Sequence, residues 1–292
     1  MMSMPVIGVD IGGTKIAAGI VTESAELSDC ITVPARAAQG YDASMAQVRF
    51  AIQSVLRPGI RAIGIACPGP LNPRTGVVIN PPNLPGWRDV PLAKNVEREY
   101  GLPCAVENDA NAAALAEARF GAGRGLRSVF YATLGTGIGA GIVIDGKVYH
   151  GKNGQAAEGG HVTIDWRSAE RCNCGVAGCV EALASGSAIS RRYGRTPEDI
   201  ARAVLAGDAA STAALDEICE MIGAWLGGIV SLLDPDIVIV GGGMSQIGEP
   251  LFSRLRRIVP LRTINRFAAE TPIAPAELGI SAGVLGAAAA VL

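Results

Sequence analysis

The 292-residue chain predicts an α/β fold made of two similar halves. Three observations carry that reading. Near the start, two short apolar runs, residues 6–10 and 15–21, flank Ile11-Gly12-Gly13-Thr14, the pattern of a hairpin with a glycine turn. About one domain later the pattern returns. Residues 129–134 and 139–144 flank Gly135-Thr136-Gly137, and Asp145-Gly146 precede a short run at 147–149. Elsewhere, buried-strand runs alternate with stretches at helical spacing. Two such halves facing each other would place one nucleotide between two phosphate-gripping turns.

The remaining elements follow in chain order. Residues 42–56 read as a helix ended by Pro58-Gly59, and 62–67 as a buried strand. A loop rich in Pro, Asn and Gly follows over 68–87, and loops that long are usually functional. Residues 92–100 form a helix with Gly101 in the position after its C-cap. Residues 104–107 form a strand, after which Asn108 or Asp109 caps a helix reaching about residue 120. Thr196-Pro197-Glu198-Asp199 is a helix start. Leu215, Ile218, Ile222, Trp225 and Ile229 recur at helical spacing within 209–233, and Asp234-Pro235 stops that helix. Residues 237–240 form a buried strand running into Gly241-Gly242-Gly243, and 281–292 a last helix. No low-complexity linker separates the halves.

Composition excludes several functions. With 25 basic and 27 acidic residues the net charge is −2, which gives no surplus for nucleic acid. No apolar run of about 20 residues spans a membrane, and the first ten residues lack the features of a signal peptide. Seven cysteines in a chain of this size do not make a disulfide scaffold. Cys30, Cys67, Cys104 and Cys219, scattered among apolar neighbours, are expected as small buried hydrophobes. These features place the protein in the reducing cytoplasm.

Five motifs carry chemistry. In Asp10-Ile11-Gly12-Gly13-Thr14-Lys15, glycines let backbone N–H groups approach phosphate oxygens, Thr14 adds a hydroxyl and Lys15 a charge. Asp10, at a strand end, suits Mg²⁺. Gly135-Thr136-Gly137-Ile138-Gly139-Ala140-Gly141 carries glycines that weaken a strand interior unless a ligand such as phosphate lies close to the backbone. Gly241-Gly242-Gly243 follows a buried strand, where α/β sheets bind ligands, and adenine or ribose could lie on it. In Glu107-Asn108-Asp109-Ala110-Asn111, an Asp at a helix start stays ionised and can accept a hydroxyl proton in phosphoryl transfer. Taken singly, each of these four has a plainer reading: an ordinary tight hairpin for the first, a bulged or flexible hairpin for the second, a simple loop for the third, and for the fourth a helix cap, which is compatible with catalysis. The fifth is stronger. Glu158-Gly159-Gly160-His161 precedes Cys172-x-Cys174-x₄-Cys179 and Glu181. Three thiolates and one imidazole, His161, make a closed Cys₃His zinc site, structural because no ligand position stays open.

In this order, Asp10–Lys15, Glu107–Asn111, Gly135–Gly141, Glu158–His161 and Cys172–Glu181 resemble the ROK family of sugar kinases, repressors and uncharacterised frames. The resemblance runs from about residue 6 to the C-terminus. It implies the two-lobed actin-like ATPase fold (ribonuclease H-like), with an inter-lobe cleft. A small lobe of 1–110 plus 281–292 and a large, zinc-bearing lobe of 111–280 are expected. Carried over by position, Asp109 becomes the base for a hexose 6-hydroxyl. Asn83, Asn108, Glu158, His161 and Glu181 bind the sugar, His161 serving metal and sugar with one ring nitrogen each. Asp10, Gly12, Gly13, Thr14, Lys15, Thr136 and Gly137 hold Mg-ATP phosphates, and Gly242 and Gly243 meet the adenosine. One departure is Ala140, one methyl in a turn where the family often has glycine. The family also implies a homodimer or homotetramer.

Glucose is the expected hexose, because the loop at 151–157 and Asn83-Leu84-Pro85-Gly86-Trp87 look similar to those of bacterial glucokinases. N-acetylglucosamine, N-acetylmannosamine and fructose are the alternatives. A sugar-responsive repressor would need an added DNA-binding domain before Asp10. An actin- or chaperone-like ATPase would not need the zinc signature or the Asn83, Glu158 and Glu181 set.

Overall fold

A computed structural model describes residues 5–264 and 266–292. The described chain runs β1 (Val6–Ile11), β2 (Lys15–Val21), β3 (Leu27–Pro34), α1 (Tyr41–Val55), β4 (Ile63–Cys67), β5 (Leu71–Asn72), β6 (Val77–Val78), β7 (Val90–Pro91), α2 (Leu92–Tyr100), β8 (Cys104–Asn108) and α3 (Asp109–Phe120). It continues with β9 (Ser128–Leu134), β10 (Ile138–Ile144), β11 (Lys147–Val148), α4 (Val180–Ala184), α5 (Gly186–Tyr193), α6 (Pro197–Leu205), α7 (Ala209–Leu233), β12 (Ile237–Gly241), α8 (Glu249–Ile258), β13 (Ile273–Pro275) and α9 (Ala282–Ala289).

Two five-stranded sheets share one topology: β3-β2-β1-β4-β8 and β11-β10-β9-β12-β13. In each, an antiparallel hairpin leads into parallel strands. β1 pairs with β2 through Asp10↔Ala17 and with β4 through Asp10↔Ala66, while β9 pairs with β10 through Leu134↔Ile138 and with β12 through Thr133↔Gly241. The repeated strand–glycine turn–strand pattern is therefore a repeated sheet.

The chain divides into two compact units. The first holds residues up to Arg124, Gly146–Ala156 and Ile280–Leu292; the second holds Gly125–Asp145 and Ala157–Gly279. The expected division at residue 110 would cut α3, which packs along its length on α9. That packing is close because both helices are alanine-rich and because a Cβ on Gly286 would strike the Ala112 carbonyl; α9 lies equally close on β1 and β4, where a Cβ on Gly8 or Gly64 would strike the carbonyls of Val284 and Ala287. The core of the first unit joins Ile7, Val9, Ile63, Ile65 and Val106 to Met45, Val48, Ile52 and Trp87. In the second unit Phe130, Leu134, Val238 and Val240 pack on Ile218, Ile222, Trp225 and Leu226 of α7. No helix among the described residues is long and apolar enough to cross a membrane.

Several expectations need correction. β3 was not foreseen, since Ser28, Asp29 and Cys30 are exposed and no alternation marks it. The loop at 68–87 contains β5 and β6, which join β7 in a small antiparallel sheet. Cys30 is exposed and Cys104 only partly covered; of the four scattered cysteines only Cys67 and Cys219 are buried. Ala140 lies inside β10, opposite Ala132, and not in a turn. Its buried methyl fills the space left by the missing side chain of Gly159.

Candidate functional site

In the first unit, parallel pairing brings the carboxyl ends of β1, β4 and β8 side by side. Asp10 pairs with Ala66, Ala66 with Glu107, and Cys67 with Asn108. Open α/β sheets bind ligands at this edge. Burial pushes the Asp10 carboxyl above its ordinary pKa, against the pull of Lys15. Buried Cys67 feels both Asp109 and Asp10, and burial and these charges push its thiol well up. The β1–β2 turn closes with Gly12 N–H donating to the Lys15 carbonyl at 2.9 Å. Gly13 sits against the Asn83 backbone, whose carbonyl oxygen would lie 2.9 Å from a Cβ there. The Asn83 loop thus rests on the β1–β2 hairpin. It is riveted by Leu84 and Trp87, both fully buried, with the Trp87 indole N–H donating to Ser44 Oγ at 2.7 Å.

The start of α3 resolves the choice between Asn108 and Asp109. Asn108 is the N-cap: its Oδ1 accepts from Ala110 N–H at 2.9 Å and Asn111 N–H at 3.2 Å. Its amide nitrogen, beside the bare backbone of Gly69, remains as a donor. Asp109 is the first helical residue and is exposed, with Oδ1 also accepting from Ala110 N–H at 2.9 Å. An anion in that position is favoured by the helix dipole.

In the second unit the β9–β10 turn carries exposed Thr136 between Gly135 and Gly137. Its carbonyls are taken by α5: Gly186 N–H donates to Gly135 O and Ser187 N–H to Thr136 O. Gly137 is bare because the Glu181 carboxylate lies 2.6 Å from where its Cβ would be, and Glu181 Oε2 accepts from Ile138 N–H at 2.8 Å. After β12, Gly242 has φ 82° and packs against the Leu134 backbone, so the fold alone requires glycine there. Gly243 has open space beside it, with only Glu198 at the margin.

The Cys/His motif folds into one cluster. One ligand atom each from His161, Cys172, Cys174 and Cys179 lies within 4.8 Å of the others. His161 Nδ1 is 3.6 Å from Cys172 Sγ, and His161 Nε2 is 3.9 Å from Glu158 Oε2. Separations of this size suit four donors around one tetrahedral ion with bonds of about 2.0–2.3 Å, so the residues fit zinc. Gly175 and Gly178, at φ 90° and 69°, make the reversals that bring the sulfurs together. Cys179 caps α4, accepting from Ala182 N–H at 3.4 Å, and Cys172 Sγ donates to Glu181 Oε1 at 3.1 Å. Gly160 lets this loop lie on Ile138, whose carbonyl occupies the place of a Cβ.

Within each unit the expected residues therefore converge: Asp10, Gly12–Lys15, Asn83, Asn108 and Asp109 in the first; Thr136, Gly137, Glu158, His161, Glu181 and the cysteines in the second. Two features went unread in the sequence, the Trp87–Ser44 bond and a contact of 2.5 Å between His150 and Glu107. The available signal for the second was that His150 is one of only two histidines.

The ROK family profile matches residues 6–292. A glucokinase of Streptomyces coelicolor is 38% identical, over 97% of this chain and 96% of its own. The crystal structure of a ROK family glucokinase from Streptomyces griseus in complex with glucose and AMPPNP is 36% identical, with TM-score 0.82 over 97% of this chain and 98% of that one. The ROK hexokinase of Thermus thermophilus is 36% identical, with TM-score 0.84 over 98% and 97%. The two repeated sheets are the two domains of the actin-like ATPase fold these structures share. Match, identity and fold agree over nearly the whole length, and the chain belongs to the ROK family.

Proposed function

We propose that this chain is an ATP-dependent hexose kinase that phosphorylates the 6-hydroxyl, with glucose as its substrate. The observation that carries the reading is the start of α3, an exposed Asp109 carboxylate beside an Asn108 amide whose oxygen is committed to the cap. The resemblance to glucokinases, one of them bound to glucose and AMPPNP, supports it.

Asp109 takes the proton of the 6-hydroxyl as its oxygen attacks the γ-phosphorus; the bond to the β-phosphate oxygen breaks and ADP leaves. The Asn108 amide and Asn83 donate to sugar hydroxyls, while Glu158, His161 and Glu181 bind others. The Gly12–Lys15 and Thr136–Gly137 turns hold phosphates, and Gly243, with Gly242, meets the adenosine. Asp10 would hold the Mg²⁺ that comes with ATP, which would offset phosphate charge. His161, Cys172, Cys174 and Cys179 hold a structural zinc, which crosslinks the Glu158 loop to the start of α4. A cytoplasmic homodimer or homotetramer without nucleic-acid partners completes this reading.

A coupled ADP-release assay across glucose, mannose, allose, fructose, N-acetylglucosamine and N-acetylmannosamine tests it. Release stimulated by glucose, with a sugar 6-phosphate as product, supports the reading. Release indifferent to every sugar overturns it.

A further inference from the structure

Glu107 stands outside the set described above, yet one oxygen of its carboxylate holds the residues on both sides of Asp109. Its side chain is only 6% exposed. Oε1 accepts from Asn108 N–H at 2.9 Å and from Asn111 Nδ2 at 3.1 Å. Those residues flank Asp109, so one carboxylate grips the turn on both sides of it. Oε2 faces His150 Nε2 at 2.5 Å. A carboxylate this deeply buried needs a charged or fully hydrogen-bonded environment. His150 supplies the missing partner.

His150 is itself held. It follows β11 in the Gly146–Ala156 segment, which clusters with the first unit. Arg74 donates to the Gly151 carbonyl at 2.8 Å, Gln155 Nε2 to the Leu71 carbonyl at 2.7 Å, and Ala156 N–H to the His150 carbonyl at 3.1 Å. The hydrogen bond to Glu107 raises the imidazole pKa, outweighing burial, while Arg74 opposes it. Asn111 Oδ1 is already buried without a partner among the described residues. The network therefore has little slack: removing His150 would strip a second buried oxygen, on the group that grips the Asp109 turn.

We propose that His150 is a positioning residue for phosphoryl transfer: through Glu107 it fixes the Asn108–Asn111 turn, and so the direction from which Asp109 meets the substrate hydroxyl. This rests on Asp109 being the base. Small misplacements of reacting groups cost rate without costing affinity.

The test compares kcat and KM of the full-length protein with His150→Ala, His150→Gln, His150→Arg and Asp109→Asn, each checked by circular dichroism. His150→Ala is expected to lose about tenfold in kcat, with KM for sugar and ATP within about twofold. His150→Arg should recover most of the loss, since arginine donates to Glu107 whatever its rotamer entropy. The charged groups facing His150 are Glu107 on β8 and Arg74 on the β5–β6 turn. Any alkaline decline in wild-type kcat that stems from His150 should vanish in His150→Arg, which does not titrate in this range. A wild-type kcat in His150→Ala, or a loss that His150→Arg leaves untouched, overturns the proposal. Should His150→Ala not fold, His150→Gln decides by the same two criteria. If Asp109→Asn keeps its turnover, the base assignment fails, an outcome separate from the His150 result.

Discussion

Glu181 accepts the backbone N–H of Ile138 at 2.8 Å, which ties the Cys/His cluster to the glycine turn between β9 and β10. Its other oxygen meets Cys172 Sγ at 3.1 Å, and its carboxylate fills the space beside Gly137. The bare glycine is thus explained by a protein carboxylate as well as by any phosphate. Disturbance at the sulfurs has a short route to the turn through this one side chain.

One zinc per chain is therefore expected, and losing it should affect more than stability. Cys174→Ser should abolish metal binding and lower the melting temperature, because binding energy is folding energy in such sites. It should also raise KM for ATP, since the ligand Cys179 caps α4, the helix that carries Glu181, and without the metal Glu181 steadies Gly137 and Ile138 less. Elemental analysis of native protein checks the first point. A zinc-free protein with full activity would remove the assignment.

Asp109→Asn should bind both substrates yet turn over slowly. Asparagine keeps the shape at the first helical position, and Asn108 still caps α3. What is lost is a proton acceptor, a loss of about 10²–10⁴-fold. Steady-state kinetics decide: more than a tenth of the wild-type turnover at similar KM would place the base elsewhere.

Local chemistry was legible in the sequence wherever it is written in adjacent residues. Gly101 ends α2 with φ 67°, Thr196 and Asp199 form a reciprocal capping box, and α7 spans Ala209–Leu233 as its spacing predicts. Long-range pairing was not legible. Glu107 and His150 are 43 positions apart, as are Ser44 and Trp87, and no pattern couples them. Ala140 misled because glycines on both sides suggested a turn, whereas its pairing with Ala132 and its packing against Gly159 place it in a strand.

Trp87→Phe should weaken both the fold and sugar binding. Trp87 is fully buried and edge-on to Tyr41, at 5.3 Å between centroids. Phenylalanine loses volume and leaves buried Ser44 without its indole donor, at about 1–3 kcal/mol. Looser anchoring of the Asn83 loop should raise the sugar KM more than it lowers kcat. Denaturant melts and sugar titrations check the two effects, and an unchanged KM in a destabilised variant would detach the loop from binding.

The His150–Glu107 pair also predicts how stability depends on pH. The folded pKa of His150 is raised above the ordinary value of 6.5. Its contribution is thus fully present below about pH 6.5, the unfolded value, and is lost as pH rises through the folded pKa. The melting-temperature gap between wild type and His150→Gln should be widest near pH 6 and narrower near pH 9. A gap that widens with pH would mean the imidazole is neutral in the fold.

Substrate choice rests on the polarity of the proposed sugar-binding set. Glu158 is exposed, with Oε2 only loosely engaged by His161 Nε2 at 3.9 Å, so its oxygens can accept from hydroxyl donors. Asn108 offers an amide donor, its oxygen being committed to the cap. A set built to pair with hydroxyls penalises a sugar that lacks one, because its own groups are then left unpaired, by up to about 10⁴-fold in strict cases. In the proposed sugar-binding role, Glu158 would face the C1–C3 side of the ring. Glucose should therefore exceed 2-deoxyglucose clearly in kcat/KM, and Glu158→Gln should erase most of that gap, since an amide replaces one acceptor by a donor. Glu158→Gln should also leave zinc content unchanged, because Glu158 lies outside the four-ligand cluster. Parallel assays on the two sugars, with metal analysis of the variant, separate these effects. If N-acetylglucosamine or N-acetylmannosamine surpasses glucose in kcat/KM, the preference for glucose is wrong while the kinase assignment stands.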